Sequence, residues 1–522
     1  MYRVLHVALE GGPASFGGLG NVATQMFDAQ NNFMIDHQYQ FDASIITPLY
    51  PELHKNLTHK ILAAEVEHLF NYEIVKSKIY LTQQGKNKYY MVEPPDEHKH
   101  LFDVKALHDI YFDLEHSFFI DRLKFFNSAV AAYIGNGIIG NDHPNPQILQ
   151  LHDWQASLVP KLLTDLYNNK HIKTVFMVHI DNYDRGSYPW RWLQGLGIEF
   201  NCVDEICVLK AVGLMSSDQV VVVSPRLLQE CITTRTEDNE LEFLRKIYTI
   251  ANVQGRAIGI TNGINYNKYC PIGKLIDNPQ NIYKEKLRNK YELANGLRGS
   301  RSQWQLDPIL PLILYVGRYS QEKGVDSFEQ VIKAINGRAN FIAIGRSMTN
   351  DVYKVMLNHS RQNNNVFISF NEAEQAQFIA VMRAAADFVY IPSRREACGL
   401  VGPEGMANGA ICITTGIGGL RDVITPLNYS DPNNTSGNGL FYEIMPEDQE
   451  NPDIQRVIDQ AINMWQTLTV EQKNAMQLRI MTEASKFDWK ADDGALFQYL
   501  QVFKKLLPQQ ELQVDSKYKC RP

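Results

Sequence analysis

The chain alternates short apolar runs, each ending at a polar or turn residue, with segments of helical character. Five such runs fall in the first half: YRVLHVALE, ASIITPLY, PQILQLHD, KTVFMVHI and DQVVVVSP. Five more follow in the second half: LILYVGRYS, ANFIAIGRS, NVFISF, DFVYIPS and AICITTG. Strands that are apolar along their whole length are typical of parallel sheets with helices packed on both faces. The pattern therefore predicts an α/β fold built on parallel sheets.

The two sets of strands predict two domains, because a chain of 522 residues is too long for one hydrophobic core. Between them, ITNGINYNKYCP is rich in turn residues and NIYKEKLRNKYEL has the pattern of a charged amphipathic helix. We expect two doubly wound, Rossmann-like domains, residues 1–256 and 257–488, that face a central cleft. Ligands of such sheets bind at the carboxyl ends of the strands, so we expect the chemistry in the loops at those ends.

The overall charge gives no reason to expect nucleic acid or an anionic membrane as a partner. The 51 basic and 58 acidic residues leave a net charge of −7. Seven cysteines at irregular spacing indicate neither a disulfide framework nor a zinc site. The start MYRVLHVALEGG lacks the features of a signal peptide, and no apolar run approaches the roughly 18 residues that span a bilayer. We expect a cytoplasmic protein without a membrane span; export without a signal peptide, as for a delivered effector, stays open.

A glycine-rich loop, SFGGLGN, follows the first strand and opens a helix. Its backbone N–H groups, with the helix dipole behind them, can hold an anion, and glycine at positions 17 and 18 lets a ligand approach closely. A plain tight turn explains the glycines equally well.

A second loop, YVGRYSQEKG, places Arg318 and Lys323 just after a strand, between Gly317 and Gly324. Two cations at a strand end are suited to a diphosphate and to the charge that develops when a nucleoside diphosphate departs. The alternative is a solvated basic loop.

Two further strand ends carry histidines: His152 is followed by Asp153, and His179 follows VFMV. A histidine at such a place is either a core residue or part of a site. In REACGLVGPEG we expect a helix from about Gly399, with Glu396 before it near sugar hydroxyls and Glu404 within it near a ribose. Helix capping is the other explanation of these carboxylates. The chain has no Asp-x-Asp motif and no zinc-ligand cluster, so we expect neither a metal nor another cofactor.

In order along residues 1 to about 507, these motifs resemble the glycogen and starch synthase family, retaining glycosyltransferases of the GT-B fold. The motifs that carry the resemblance are LHVALE with GGLG, LHDWQASLVP, VFMVHI, LKAVGLMSSDQVVVVSP, ITNGINYNKYCP, YVGRYSQEKG and REACGLVGPEGMANGAICITTGIGGLRDVI. The resemblance also implies that a final helix, in residues 489–522, packs back onto the first domain.

The resemblance implies a role for each matching residue. His179 would bond the donor sugar, with its backbone carbonyl at the reaction centre, while Arg318 and Lys323 would bind and stabilise the leaving diphosphate. Glu396 would hold sugar hydroxyls, and Asp153 would lie on the acceptor side. The donor-binding residues would be Gly17, Gly18, Asn262, Gly317, Ala397, Cys398, Gly399, Leu400 and Glu404, of which Gly399 and Leu400 would offer backbone N–H groups to phosphate and Glu404 would hold the ribose.

Three positions depart from the family pattern. Ser15 stands where bacterial synthases have a lysine that contacts the donor, Asn21 where an aspartate is common, and Ile180 where an asparagine is usual.

The expected function is metal-independent, retaining transfer of a hexose, glucose, from a nucleotide sugar such as ADP- or UDP-glucose to an α-glucan. Two alternatives stay open. One is the same chemistry on a protein, lipid or small-molecule acceptor, as in a secreted effector glycosyltransferase; the other is a GT-B protein that binds without catalysis.

Overall fold

The computed structural model describes residues 1–15, 17–32, 34–35, 39–57, 59–111, 117–137, 145–169, 171–180, 182–269, 279–300, 304–346, 350–430, 436–446 and 449–507. The chain divides into two compact units: unit 1 is Met1–Thr261 with Ala495–Pro522, and unit 2 is Asn262–Gly494. The boundaries 256/257 and 488/489 that we expect from the sequence lie five and six residues before these divisions.

Unit 1 is built on a mixed sheet with helices around it. Its strands are β1 Tyr2–Val7, β2 Met34–Ile35, β3 Tyr39–Pro48, β4 Ile61–Phe70, β5 Glu73–Gln84, β6 Asn87–Glu93, β7 Ile148–His152, β8 Lys173–Val178, β9 Ser187–Pro189, β10 Ile206–Val208, β11 Gln219–Val222 and β12 Ala257–Gly259. The helices of unit 1 before residue 261 are α1 Gly18–Asn31, α2 Ser117–Gly135, α3 Leu158–Tyr167, α4 Leu209–Ser216, α5 Pro225–Thr233 and α6 Asn239–Val253. Seven strands run parallel in the order β12-β11-β8-β7-β1-β3-β6, and β5 and β4 extend this sheet antiparallel beyond β6.

Unit 2 has a parallel sheet of six strands in the order β15-β14-β13-β16-β17-β18. The strands are β13 Leu312–Val316, β14 Asn340–Ile344, β15 Val366–Ser369, β16 Phe388–Ile391, β17 Ile411–Thr414 and β18 Gly439–Phe441. The helices are α7 Tyr266–Tyr269, α8 Ile282–Ser300, α9 Phe328–Ile335, α10 Asn350–Gln362, α11 Glu372–Ala385, α12 Val401–Met406, α13 Leu420–Val423, α14 Pro452–Thr467 and α15 Val470–Ser485. The prediction of two doubly wound α/β units is confirmed.

The strand orders show where each sheet reverses direction. In unit 2 the chain builds outward from β13 on one side and from β16 on the other, so the switch point lies between these two strands. In unit 1 it lies between β1 and β7. Ligands of doubly wound sheets bind outside the carboxyl ends of the strands at such points. The loops after β1, β7, β13 and β16 are therefore the positions at which a site is expected.

The last helix, α16 Ala495–Leu506, begins six residues later than the predicted start at residue 489. Asp493, at φ +58°, is in the left-handed region and does not continue a helix. Trp489 instead donates its backbone N–H to the carbonyl of Ile264 within unit 2. Within unit 1, the ring of Phe503 on α16 lies 6.0 Å from that of Tyr2. No helix among the described residues combines the length and apolarity that a bilayer crossing requires.

Candidate active site

Asp153 ties together the ends of β7 and β8 in unit 1. Its Oδ1 accepts from the backbone N–H of Trp154 at 2.8 Å, and its Oδ2 from that of His179 at 3.0 Å. The residue is 0% exposed and has φ +60°, a strained conformation for a residue with a side chain. Burial raises the pKa of its carboxyl to about 6. Asp153 thus sets the backbone position of His179, and the acceptor contact predicted for it stays a prediction.

The imidazole of His179 is partly exposed, and its buried edge contacts a second histidine. Its Nε2 lies 3.0 Å from Nδ1 of His152, whose Nε2 lies 2.9 Å from Nδ1 of His6. Burial lowers the pKa of His179 to about 3, so the ring is neutral at pH 7. The sequence analysis did not single out His6, which lies inside the first apolar run.

The glycine loop is closed by neutral hydrogen bonds and one buried carboxylate. Ser15 Oγ donates to the carbonyl of Gly12 at 2.9 Å and lies 2.8 Å from the hydroxyl of Thr24. Glu10, which is 1% exposed, accepts at Oε2 from the backbone N–H of Gly17 at 3.0 Å. The sequence analysis missed Glu10, although its place at the end of the first apolar run, just before the glycines, is a signal for it.

Gly18 opens α1 with free space at its Cβ position, since a methyl group there meets nothing within 4 Å. Gly20 is the contrast, because its Cβ would lie 2.5 Å from Oε2 of Glu10 and 3.0 Å from the backbone of Ser15.

Gly18→Ala is expected to leave the melting temperature unchanged or slightly higher, since alanine favours a helix over glycine by about 0.5–1 kcal/mol. The proposed donor diphosphate approaches this backbone, so the added methyl group should raise the KM for the donor about tenfold or more. Gly20→Ala is the matched control: its clash should cost about 1–3 kcal/mol of unfolding free energy. Thermal unfolding and donor KM measure both variants, and an unchanged KM in Gly18→Ala would show that the donor lies elsewhere.

The basic loop of unit 2 lies at the switch point, where it meets the loop after β16. Lys323 Nζ lies 2.8 Å from Oε2 of Glu396, which also accepts from the Ser393 hydroxyl at 3.1 Å. Arg318 is half exposed, and its Nη2 lies 3.3 Å from Oε1 of Glu322. Gly317 precedes Arg318 and donates its N–H to the carbonyl of Ile344. The structure therefore brings Lys323 and Glu396 into direct contact, with Arg318 on the same loop as Lys323.

The helix after Glu396 begins at Val401 rather than near Gly399, the predicted start. Gly399 has φ +82°, which is outside the helical region, and Leu400 occupies the N-cap. Glu404, in the first turn, is buried and pairs with Arg383 Nη2 at 2.6 Å. The sequence analysis missed Arg383, since nothing near it in the chain indicates this contact. One oxygen of Glu404 is thus engaged in an ion pair, and its ribose role stays a prediction.

Two further features of unit 2 lie near these loops. Asn262 is 2% exposed, and its Oδ1 has no hydrogen-bond partner among the described residues. A buried acceptor without a partner is uncommon in proteins and suits a donor group of a ligand. The GIGG turn, residues 416–419, packs against the loop that follows β16. A Cβ on Gly419 would lie 2.4 Å from the carbonyl oxygen of Ala397 and 2.6 Å from Cα of Cys398.

Acid is expected to destabilise unit 1 below about pH 6.5. Burial lowers the pKa of His6 and His54 to about 4 and that of His68 and His179 to about 3. These rings stay neutral in the folded state while the unfolded chain binds protons near pH 6.5. Their stabilisation is therefore complete above pH 6.5 and decreases as the pH falls, by about 1.4 kcal/mol per pH unit for each ring. Below about pH 6, Asp153 offsets the loss of stability from one of these rings. Its carboxyl takes up a proton at a higher pH in the folded chain than in the unfolded chain.

Calorimetric unfolding between pH 7.5 and 4.5 measures this effect. His68→Gln, away from the proposed site, should reduce the pH dependence by about one proton. A flat profile for unit 1 would show that these histidines are protonated in the folded protein.

Two family descriptions match the chain in succession. Residues 3–246 match "Starch synthase catalytic domain" and residues 300–463 match "Glycosyl transferases group 1". A glycogen synthase of Actinobacillus pleuropneumoniae serotype 5b is 25% identical over 484 residues, 89% of this chain and 92% of the relative. A glycogen synthase of Flavobacterium johnsoniae is 30% identical over 352 residues, 62% of this chain and 66% of the relative.

Solved structures show the same fold. The catalytic domain of starch synthase IV from Arabidopsis thaliana, bound to ADP and acarbose, aligns with a TM-score of 0.76 at 21% identity, over 97% of this chain and 99% of that one. Sucrose-phosphate synthase from Thermosynechococcus elongatus aligns over the same shares with a TM-score of 0.58 at 15% identity. The predicted GT-B fold class is confirmed, and the chain belongs to the glycogen and starch synthase family of glycosyltransferases.

Proposed function

We propose that this chain transfers glucose, with retention, from a nucleoside diphosphate glucose to an α-glucan. The observation that carries the proposal is the contact of Lys323 with Glu396 at the switch point of unit 2, beside Arg318. A cation and a carboxylate in contact match a donor that has a diphosphate at one end and sugar hydroxyls at the other. The curated relatives named glycogen synthase support the same substrates.

The proposed chemistry is loss of the nucleoside diphosphate and attack of an acceptor hydroxyl on the same face of the sugar. Lys323 and Arg318 stabilise the negative charge that develops on the departing diphosphate. Glu396 accepts hydrogen bonds from sugar hydroxyls, and its pairing with Lys323 orients both side chains before the donor binds. The backbone carbonyl of His179, positioned by Asp153, lies at the reacting carbon.

The remaining predicted donor contacts are part of the proposal. Backbone N–H groups of Gly399 and Leu400 bind phosphate oxygens, and Glu404 holds the ribose with Arg383 behind it. Asn262, with its unpaired Oδ1, accepts from the donor.

The proposed acceptor site is an aromatic cavity in unit 1. Its lining includes Trp154, the residue that follows Asp153. It has a volume of about 440 Å³ and is lined by Trp154, Tyr183, Asp184, Arg185, Gly186, Ser187, Tyr188, Pro189, Trp192 and Glu240. Its volume falls within the range of small-molecule sites, and rings with a polar edge suit the apolar faces and hydroxyls of sugars. The acarbose bound to the Arabidopsis starch synthase supports a saccharide ligand in this family.

Incubation of the purified protein with ADP-, UDP- and GDP-glucose, with and without glycogen, tests the proposal by release of nucleoside diphosphate. Release from one donor that rises with glycogen, with added glucose in the polymer, is the expected result. Release that ignores glycogen would indicate another hydroxyl acceptor. No release from any donor would favour a protein that binds without catalysis. We place the enzyme in a reducing compartment, the cytoplasm, because its seven cysteines do not have the spacing of a disulfide framework.

A further inference from the structure

Three imidazoles form a buried row across neighbouring strands of unit 1. His6 lies in β1, His152 ends β7, and His179 follows β8; these strands are adjacent in the sheet. The ring centroids of His6 and His152 are 5.2 Å apart, and those of His152 and His179 are 5.1 Å apart. Each neighbouring pair is joined by a hydrogen bond between ring nitrogens. The row leads from the core to the one residue of the three that is partly exposed, His179.

The inner end of the row is held by two glutamines. Gln30 Oε1, on α1, lies 2.7 Å from His6 Nε2, and Gln30 Nε2 donates to Gln150 Oε1 at 2.7 Å. The amide nitrogen of Gln150 lies 3.5 Å from Met26 Sδ and 3.4 Å from Met177 Sδ. A thioether sulfur can only accept, so the Gln150 NH₂ group must face the sulfurs. Gln150 then accepts from Gln30, and Gln30 accepts from His6.

This end sets the direction of every hydrogen bond in the row, because a neutral imidazole has one N–H group. His6 donates its Nε2–H to Gln30 and accepts at Nδ1 from the Nε2–H of His152. His152 then accepts at Nδ1 from Nε2–H of His179. Burial lowers the pKa of all three rings, so none carries the second proton that would break the row at neutral pH. His179 is left with a lone pair on Nδ1, to which no described residue hydrogen-bonds.

We propose that Gln30, His6 and His152 are positioning residues that hold His179 in the Nε2–H tautomer, so that its Nδ1 is a fixed acceptor for a sugar hydroxyl. The sugar contact rests on the proposed function, whereas the tautomer does not. A fixed acceptor discriminates between donors, since a hydroxyl can donate to Nδ1 and a fluorine at the same position cannot. The donor analogue fluorinated at the position that faces His179 should therefore bind about tenfold more weakly, the loss of about one hydrogen bond.

The tautomer is measured directly by ¹⁵N NMR of the histidine-labelled full chain, with the His179 signals assigned from their loss in His179→Gln. A protonated Nε2 and an unprotonated Nδ1 are expected at pH 7. A protonated Nδ1 in the wild-type chain would overturn the proposal, whatever the activity. The correct tautomer without turnover on any donor would leave this proposal standing and reject the proposed function.

Two substitutions of similar length separate positioning from packing. Gln30→Met fills the same space without a hydrogen-bond acceptor, so His179 should populate both tautomers and kcat/KM for the donor should fall about tenfold. Gln30→Glu, as the neutral acid that a buried position favours, keeps an acceptor for His6 and a donor for Gln150, so it should retain the Nε2–H tautomer and most of kcat/KM. Equal kcat/KM and an unchanged His179 tautomer in Gln30→Met would overturn the proposal. If Gln30→Met does not fold, the wild-type spectrum alone decides.

Discussion

Lys323→Ala is expected to lower turnover at least about a hundredfold, because it removes a cation aimed at the charge that develops on the leaving diphosphate. The side chain is only 19% exposed and lies 2.8 Å from Glu396, so its position is set before the donor binds. The variant also leaves Glu396 without its cation and should disturb the sugar end of the donor. The measurement is kcat for nucleoside diphosphate release at saturating donor and glycogen.

Lys333→Ala is the matched control. Lys333 pairs with Glu329 at 2.8 Å on the surface of α9, where the side chains are 66% and 57% exposed. Surface pairs of this kind contribute little, so turnover should be unchanged. Near-normal turnover in Lys323→Ala, with an intact fold by thermal unfolding, would show that other groups hold the diphosphate.

Lys290→Met is expected to destabilise unit 2 by about 3–5 kcal/mol, the cost of leaving one partner of a buried ion pair unpaired. Lys290 Nζ lies 2.5 Å from Oδ2 of Asp387, and the side chains are 1% and 0% exposed. Asp387 Oδ2 also accepts from the backbone N–H of Leu312, and Lys290 donates to the carbonyl of Leu310. The pair thus joins α8 to the beginnings of β13 and β16, at the end of the sheet away from the loop of Lys323.

Urea unfolding measures the loss in Lys290→Met, with Lys333→Met on the surface as its control. The double variant Lys290→Met with Asp387→Leu should recover most of the stability, because it leaves no buried charge without a partner. A loss below about 1 kcal/mol in the single variant would mean that water reaches Asp387 in the folded protein.

The sheets could be predicted where the strands are apolar throughout. All ten apolar runs form strands of the two sheets, because burial on both faces leaves no place for polar residues. The parallel strands β6, β12 and β18 were not predicted, and neither was the antiparallel extension β4–β5. Its strands alternate buried and exposed residues, and their outer face pairs Glu67 with Lys76 and Glu65 with Lys78, so no continuous apolar run marks them.

The loops with chemistry could also be found in the sequence, because the carboxyl ends of parallel strands lie at one edge of a sheet. Lys323 and Glu396 are 73 residues apart in the chain and are in contact for this reason. Helix starts were less predictable: Gly399 precedes α12 and Asp493 precedes α16, and the backbone conformation of both residues is non-helical.

The sequence by itself determined the fold class, ten of the thirteen parallel strands and the loops that carry the cations and carboxylates, since each depends on residues close together in the chain. Only the tertiary structure decided how those side chains are held. Arg383 beside Glu404 and Gln30 behind the row of histidines are contacts between separate elements, and no local pattern marks them. Their partners are chosen by the packing of helices on the sheets, because a buried polar group must find its hydrogen bonds wherever the fold places a donor or acceptor.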